Sequence, residues 1–105
     1  MQEDEFSVIF ITSTQEESEG IARVLVDERL AACVNVTCVT SYFRWDGKFC
    51  SEKEALLIIK SRAEYIERII KRVKELHSYE LPEIIAFPIV GGDEEYLKWI
   101  NDSVK

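Results

Sequence analysis

The alternation of apolar and polar residues predicts a strand and then a helix in the first third of the chain. Residues 6–13 form a nearly continuous apolar run, which is typical of a central strand. Thr14 is followed three positions later by Glu17, and this capping-box pattern predicts the start of a helix. Apolar residues then recur at helical spacing as far as Leu30, so we expect one face of this helix to be buried.

The longest predicted element is a β-hairpin centred on the dipeptide Asp46-Gly47. A type I′ turn needs positive φ at both central residues, and Asp-Gly between β-prone runs is a strong signal for it. The arms, residues 33–45 and 48–60, are each about 13 residues long and reach about 43 Å. A compact chain of this length has a diameter of only about 33 Å. We therefore expect the hairpin to overhang its own domain and to be covered by other copies of the chain.

The apolar face of the first hairpin arm changes near the middle of that arm. Close to the base the apolar side chains include Val34 and Val36, whereas Phe43 and Trp45 lie on the opposite face. Two interpretations are open: a bulge re-aims the strand, or the distal half meets a different surface. The second arm agrees with either one, because its distal half is polar and its base, residues 55–59, is apolar.

Beyond the hairpin the pattern predicts a helix, a short strand and a last helix. Residues 61–64 (SRAE) repeat the capping box, and an amphipathic stripe follows over residues 66–77. A strand is expected at residues 84–87 and a helix at about residues 94–101. This order predicts a single α+β domain, residues 1–105, of the ferredoxin-like βαββαβ type. Its antiparallel sheet carries two helices on one face, with a long hairpin and an extra C-terminal helix.

Composition narrows the function classes. Twenty acidic residues against thirteen basic ones give a net charge of −7, which argues against a nucleic-acid or anionic-membrane surface. No apolar run approaches the roughly 20 residues of a membrane span, and the acidic residues 2–5 are unlike a signal peptide. The three cysteines occupy strand positions that bring no two of them together, so we expect reduced thiols. A soluble, cytoplasmic protein is therefore expected.

Residues 77–83 (HSYELPE) form a local cluster of metal-ligand types. His77 supplies an imidazole, which suits Cu, Zn and Ni, and Glu80 and Glu83 supply carboxylates. These three residues are candidate metal ligands, although a complete site needs further groups from elsewhere or from a neighbouring subunit. The alternative is that His77 ends the second long helix and that Tyr79 and Pro82 build the turn that follows.

Residues near both ends of the hairpin, together with the last helix, suggest a second functional region. The register set by the turn places Cys33 opposite Lys60, where an ammonium group favours a reactive thiolate; a packing role for Cys33 is the alternative. Tyr and Trp are the usual anchors of oligomer interfaces, although they also line ligand grooves. The residues predicted to line an interface or cleft between subunits are Cys33, Trp45, Lys60, Tyr79, Tyr96 and Trp99.

Five ordered segments together resemble the CutA family of divalent-cation tolerance proteins. They are residues 28–35 (ERLAACVN), 44–48 (RWDGK), 58–60 (IIK), 77–84 (HSYELPEI) and 96–100 (YLKWI). The resemblance implies a ferredoxin-like subunit in a homotrimer, knitted together by long hairpins. It also implies a link to tolerance of copper and other divalent ions, a cytoplasmic location for most prokaryotic members, and no enzyme activity.

The chain departs from the family pattern at several positions. Ser78 stands where the family usually has Pro, and Phe43 where it usually has Tyr. At the positions of the family's assigned copper ligands the chain has Thr12 and Leu76-His77, so His77 alone keeps a ligand type.

Two functions follow from this sequence. The first is a homotrimer that serves divalent-metal tolerance by binding copper, or otherwise zinc or another divalent ion. The alternative is a trimeric signalling or scaffold protein, resembling the PII proteins, that holds a small ligand or a partner in its inter-subunit clefts. In both, the expected partner is the chain itself, with neither nucleic acid nor membrane.

Overall fold

Four strands and three α-helices make up most of residues 5–105, the part of the chain that this computed structural model describes. The acidic segment at residues 2–4 lies outside these residues. The elements are β1 (Phe6–Ser13), α1 (Gln15–Asp27), β2 (Cys33–Trp45), β3 (Lys48–Arg62), a 3-10 turn (Ala63–Tyr65), α2 (Ile66–Leu76), β4 (Ile84–Pro88) and α3 (Glu94–Ser103).

The four strands form one antiparallel sheet in the order β2-β3-β1-β4. The connection from β1 to β2 passes over β3 and contains α1, and the connection from β3 to β4 passes over β1 and contains α2. This is the topology that the split βαβ plan predicts. The β2–β3 ladder runs without interruption from Cys33 opposite Lys60 to Trp45 opposite Lys48. A bulge therefore does not explain the change of apolar face, and the distal half of the hairpin faces a different environment from its base.

The turn of the hairpin has the geometry that the sequence predicts. Asp46 and Gly47 have φ angles of 53° and 75°, so both central residues are left-handed as a type I′ turn requires. A Cβ on Gly47 would meet no atom within 4 Å, so the backbone angle and not crowding demands glycine here.

The core lies between the helices and one face of the sheet. Alternate residues of β1 and β3, including Ile9 and Leu57, are completely buried and meet the buried stripes of α1 and α2. Helix α3 closes the core with Leu97 and Ile100, and Asp93 caps it by accepting a hydrogen bond from the Tyr96 amide.

The predicted capping box at residues 61–64 is wrong. Ser61 belongs to β3, and its buried hydroxyl donates to the carbonyl oxygen of Leu30 at 2.6 Å instead of capping a helix. The chain enters α2 through the 3-10 turn, whose first residues receive no side-chain cap. Helix α1 also ends before the predicted Leu30, because Arg29 adopts a left-handed φ of 60°.

Among residues 5–105, the outer half of the hairpin has no neighbouring strand. Strand β1 pairs with β3 only at residues 55–62, so residues 39–54 pair with one another alone. We call residues 39–54 the distal hairpin. The chain measures 44 × 25 × 22 Å, and aromatic side chains of this region are exposed: Tyr42, Phe43, Trp45 and Phe49.

Candidate functional site

His77 lies immediately after α2, and its imidazole is completely buried. Its Nδ1 is 3.1 Å from the Tyr79 backbone nitrogen, which can only donate, so Nδ1 accepts. Nε2 therefore carries the proton and donates to the carbonyl oxygen of Thr12 at 2.7 Å. Both ring nitrogens are thus engaged in holding the end of β1 to the turn after α2.

The other predicted metal ligands do not converge on His77. Glu80 and Glu83 are exposed, and the carboxylate near the imidazole is that of Glu17, 3.6 Å from Nδ1. Residues 5–105 contain no group of three or more His, Cys, Asp or Glu placed to hold a metal ion. As folded in one subunit, His77 does not fit a metal, because the lone pair that would bind it already accepts the Tyr79 amide proton.

Tyr79 joins this turn to the inner end of the distal hairpin. Its hydroxyl donates to Glu54 Oε2 at 2.8 Å, and Glu54 is only 6% exposed. Burial raises the pKa of Tyr79 well above that of a free phenol, and the hydrogen bond and negative charge of Glu54 add to the effect. The sequence reasoning missed Glu54, although its alternation with Leu56 and Ile58 was the signal that placed it on an apolar face.

Cys33, Lys60 and Tyr96 meet at the base of the hairpin. Cys33 and Lys60 are directly opposite in the β2–β3 ladder, and the Lys60 ammonium Nζ lies 3.9 Å from Cys33 Sγ. Tyr96 lies on helix α3, and its pKa is raised by burial and, to a smaller extent, by Cys33. The rings of Tyr96 and Trp99 lie 5.4 Å apart, and each side chain is about half exposed.

The six residues predicted to line an interface or cleft therefore fall into three places. Cys33, Lys60, Tyr96 and Trp99 form one half-exposed cluster, which we call the thiol cluster. Tyr79 is half-buried in the turn after α2, beside the buried Glu54, and Trp45 lies at the tip of the distal hairpin, 47% exposed.

Comparison with known proteins identifies the family of this chain. The model of the family described as CutA1 divalent ion tolerance protein matches residues 6–103. The chain is 44% identical over 98 residues to the divalent-cation tolerance protein CutA of Thermus thermophilus, covering 91% of this chain and 95% of that relative. It is 40% identical over 100 residues to the chloroplastic protein CutA of Arabidopsis thaliana, covering 93% of this chain and 55% of that protein.

Solved structures agree with the fold. The structure of the periplasmic divalent cation tolerance protein CutA from Archaeoglobus fulgidus superposes with a TM-score of 0.93 at 40% identity. The match covers 95% of this chain and 99% of that one. The similarity therefore extends over the hairpin, the sheet and all three helices.

The expected cytoplasmic location is wrong as an inference from this sequence. The Archaeoglobus relative is described as periplasmic and the Arabidopsis relative as chloroplastic. The names of these relatives thus give more than one compartment. Net charge and core composition do not specify the compartment of a protein. In residues 5–105, no helix has both the length and the apolar character needed to span a membrane.

Proposed function

The chain belongs to the CutA family of divalent-ion tolerance proteins, and we propose that it serves divalent-cation tolerance as a homotrimer that binds the cation. Copper is the first candidate, and zinc or another divalent ion the next. The observation that carries this proposal is the distal hairpin, which has no neighbouring strand among residues 5–105 of one subunit.

Self-association is supported by the energetics of the distal hairpin. A two-stranded ribbon is marginally stable alone, and here it exposes Tyr42, Phe49 and Trp45 to 68%, 70% and 47%. Strand β2 also forms an edge of the sheet along its whole length, with unpaired backbone groups on one side. A second and third copy would cover both features, and the assembly would bury the aromatic anchors.

A complete cation site would need ligands from more than one subunit. His77 has no uncommitted lone pair, and residues 5–105 of a single chain offer no three-ligand group. The set His77, Glu80 and Glu83 stays a prediction. The two carboxylates are exposed and available to an assembled site, and the net charge of −7 attracts cations to the surface.

Calorimetric titration of Cu(II) into the purified protein tests this proposal. We expect stoichiometric binding that weakens in Glu80→Gln and Glu83→Gln, while Glu67→Gln, an exposed carboxylate on α2, serves as the matched control. His77→Ala is included because loss of binding there would require the imidazole to exchange its hydrogen bonds for the metal. Binding should also fall in Trp45→Gly, in which assembly is weakened.

Two results would contradict the proposal. Undiminished stoichiometric binding by a dissociated variant would mean that the site lies within one subunit. Weak binding at many sites, equal in all variants, would mean that tolerance does not depend on direct binding of the cation.

A second function, a trimeric signalling or scaffold protein, is favoured by the thiol cluster. The Lys60 ammonium in this cluster suits a small anionic ligand, and the half-exposed rings of Tyr96 and Trp99 supply apolar surface for it. A small molecule that raises the melting temperature in the absence of metal, and loses this effect in Trp99→Ala, would support this function. No enzyme activity is proposed.

A further inference from the structure

We propose that a groove beside helix α2 binds a small anion that carries several phosphate groups. The groove lies where the end of α1, helix α2 and the segment after α3 meet, and we call it the basic groove. Its charged lining consists of Arg68, Lys71, Arg72 and Lys105, together with Glu28 and Glu75. The candidate cation ligands and the thiol cluster lie outside this lining, so the proposal does not rest on either proposed function.

The basic groove reverses the charge of the rest of the chain. The chain as a whole has a net charge of −7, whereas cationic side chains outnumber carboxylates by four to two in this lining. A small anion is repelled by most of an acidic surface and attracted to a local cluster of cations. The charge distribution therefore directs an anion to this groove.

Arg72 already pairs with both carboxylates of the lining. Its Nε and Nη2 donate to the two oxygens of Glu28 at 3.0 and 2.9 Å, and its Nη1 donates to Glu75 at 3.2 Å. Arg68, Lys71 and Lys105 make no ion pair with a carboxylate among residues 5–105. Three cations thus face the groove with their charge available to a ligand.

Arg68 is oriented before any ligand binds. Its guanidinium carbon lies 4.2 Å from the centre of the Tyr65 ring, and Tyr65 is only 7% exposed and fixed in the core. A guanidinium held flat on a ring keeps its N–H edges free to donate in pairs to phosphate oxygens. Lys71 is exposed and lies one turn further along the same side of α2, where its ammonium adds a second contact.

The size and the lining of the groove indicate the class of anion. Its volume is about 330 Å³, which is small for a ligand site. Leu30 supplies the apolar part of the lining and is only 8% exposed, so a ligand gains little by burying apolar surface here. Affinity must come from charge and paired hydrogen bonds, and a chain of phosphates supplies both in a small volume.

The basic groove is expected to stay open in a homotrimer. Self-association is expected at the edge strand β2 and at the distal hairpin, and no residue of the lining belongs to either region. The lining comes from the helices and the segments that follow them, which cover one face of the sheet.

Calorimetric titration of tripolyphosphate into the intact, metal-free protein at low ionic strength tests the proposal. We expect saturable binding that weakens by about threefold or more in Lys71→Gln. Lys74→Gln is the matched control, because Lys74 is an exposed lysine of the same helix that lies outside the lining and should leave the affinity unchanged. Absence of binding, or equal weakening in the two variants, would overturn the proposal.

A second variant tests the paired donors of Arg68. Arg68→Lys keeps the positive charge but removes the planar fork, so it should weaken tripolyphosphate binding by about threefold or more. Circular dichroism checks that the fold is retained. An unchanged affinity in Arg68→Lys would refute the role of the fork.

Citrate, a small anion with carboxylates in place of phosphates, tests the preference for phosphate. We expect citrate to bind more weakly than tripolyphosphate under the same conditions, because the groove recognises dense charge and phosphate oxygens. Equal affinity for the two anions would exclude the preference for phosphate.

Discussion

The base of the hairpin and the distal hairpin are built from the same two strands in one continuous register, yet they lie in opposite environments. At the base, Leu57 and Ile59 are completely buried under the helices. In the distal hairpin, Phe49 of the same strand is 70% exposed and has only β2 as a neighbouring strand. Strand formation is therefore not what distinguishes the two regions, since both have the same backbone pairing.

The difference lies in where each region finds its partner. The base completes its packing within the subunit, so its side chains are expected to govern the stability of the fold. The distal hairpin exposes aromatic residues that nothing within residues 5–105 covers, so its side chains are expected to govern association. Glu54, buried and held by Tyr79, marks the junction between the two regions.

The largest expected effect is at the base. Leu57→Ala removes a completely buried side chain and should lower the free energy of unfolding by about 3–4 kcal/mol. Phe49→Ala, eight residues earlier in the same strand, is the comparison and should change the unfolding of the subunit little. Denaturant titration at one fixed protein concentration measures both. Equal destabilisation by the two variants would remove the distinction between base and tip.

The next effect concerns association. Trp45→Gly removes a large anchor at the tip and should weaken assembly by about 2–4 kcal/mol per site while leaving the fold of the base intact. Analytical ultracentrifugation over a dilution series measures the association state, and circular dichroism checks the fold. An unchanged association state in dilute solution would show that the tip is not the interface.

A smaller effect is expected at the junction. Tyr79→Phe leaves the buried Glu54 carboxylate without its hydroxyl donor and should cost about 1–2 kcal/mol of stability. Tyr42→Phe, at an exposed tyrosine of the distal hairpin, is the matched control and should be nearly neutral.

The same pair of variants also predicts a dependence on pH. The pKa of Tyr79 is raised on folding, so the native state holds this proton where the unfolded chain has begun to lose it. Tyr79 therefore contributes stability that is complete below about pH 10 and is lost as the pH rises from there towards the raised pKa. In Tyr79→Phe this part of the alkaline loss should disappear, and an unaltered alkaline profile would contradict the raised pKa.

The smallest effect is at the turn. Gly47→Ala places a side chain at φ 75° and should destabilise the hairpin by about 1 kcal/mol, although it meets no steric clash. Gly20→Ala makes the same substitution in helix α1, where there is equally open space, and should be neutral or stabilising by up to about 1 kcal/mol. Thermal unfolding distinguishes the signs, and a neutral Gly47→Ala would mean that the turn tolerates a different backbone geometry.

Part of the candidate site could be predicted from the sequence because it follows from strand register. The Asp46-Gly47 turn sets which residues are opposite each other, and this placed Cys33 beside Lys60 correctly. Tyr96 could be named as a candidate from the sequence, but its place in the same cluster could not be predicted, since it depends on how α3 packs against the sheet. His77 could be assigned to the end of a helix, but no local pattern indicated that the Thr12 carbonyl oxygen would accept a hydrogen bond from its Nε2.

The sequence by itself determined the order of the elements, the hairpin turn and the register of its two arms, because these follow from periodicity and local backbone preference. Only the tertiary structure decided that Ser61 extends a strand instead of capping a helix, that Glu54 is buried against Tyr79, and that both ring nitrogens of His77 are hydrogen-bonded. Burial and hydrogen bonding of these groups depend on residues 25 to 65 positions away, and no local pattern records which distant segment will supply the partner.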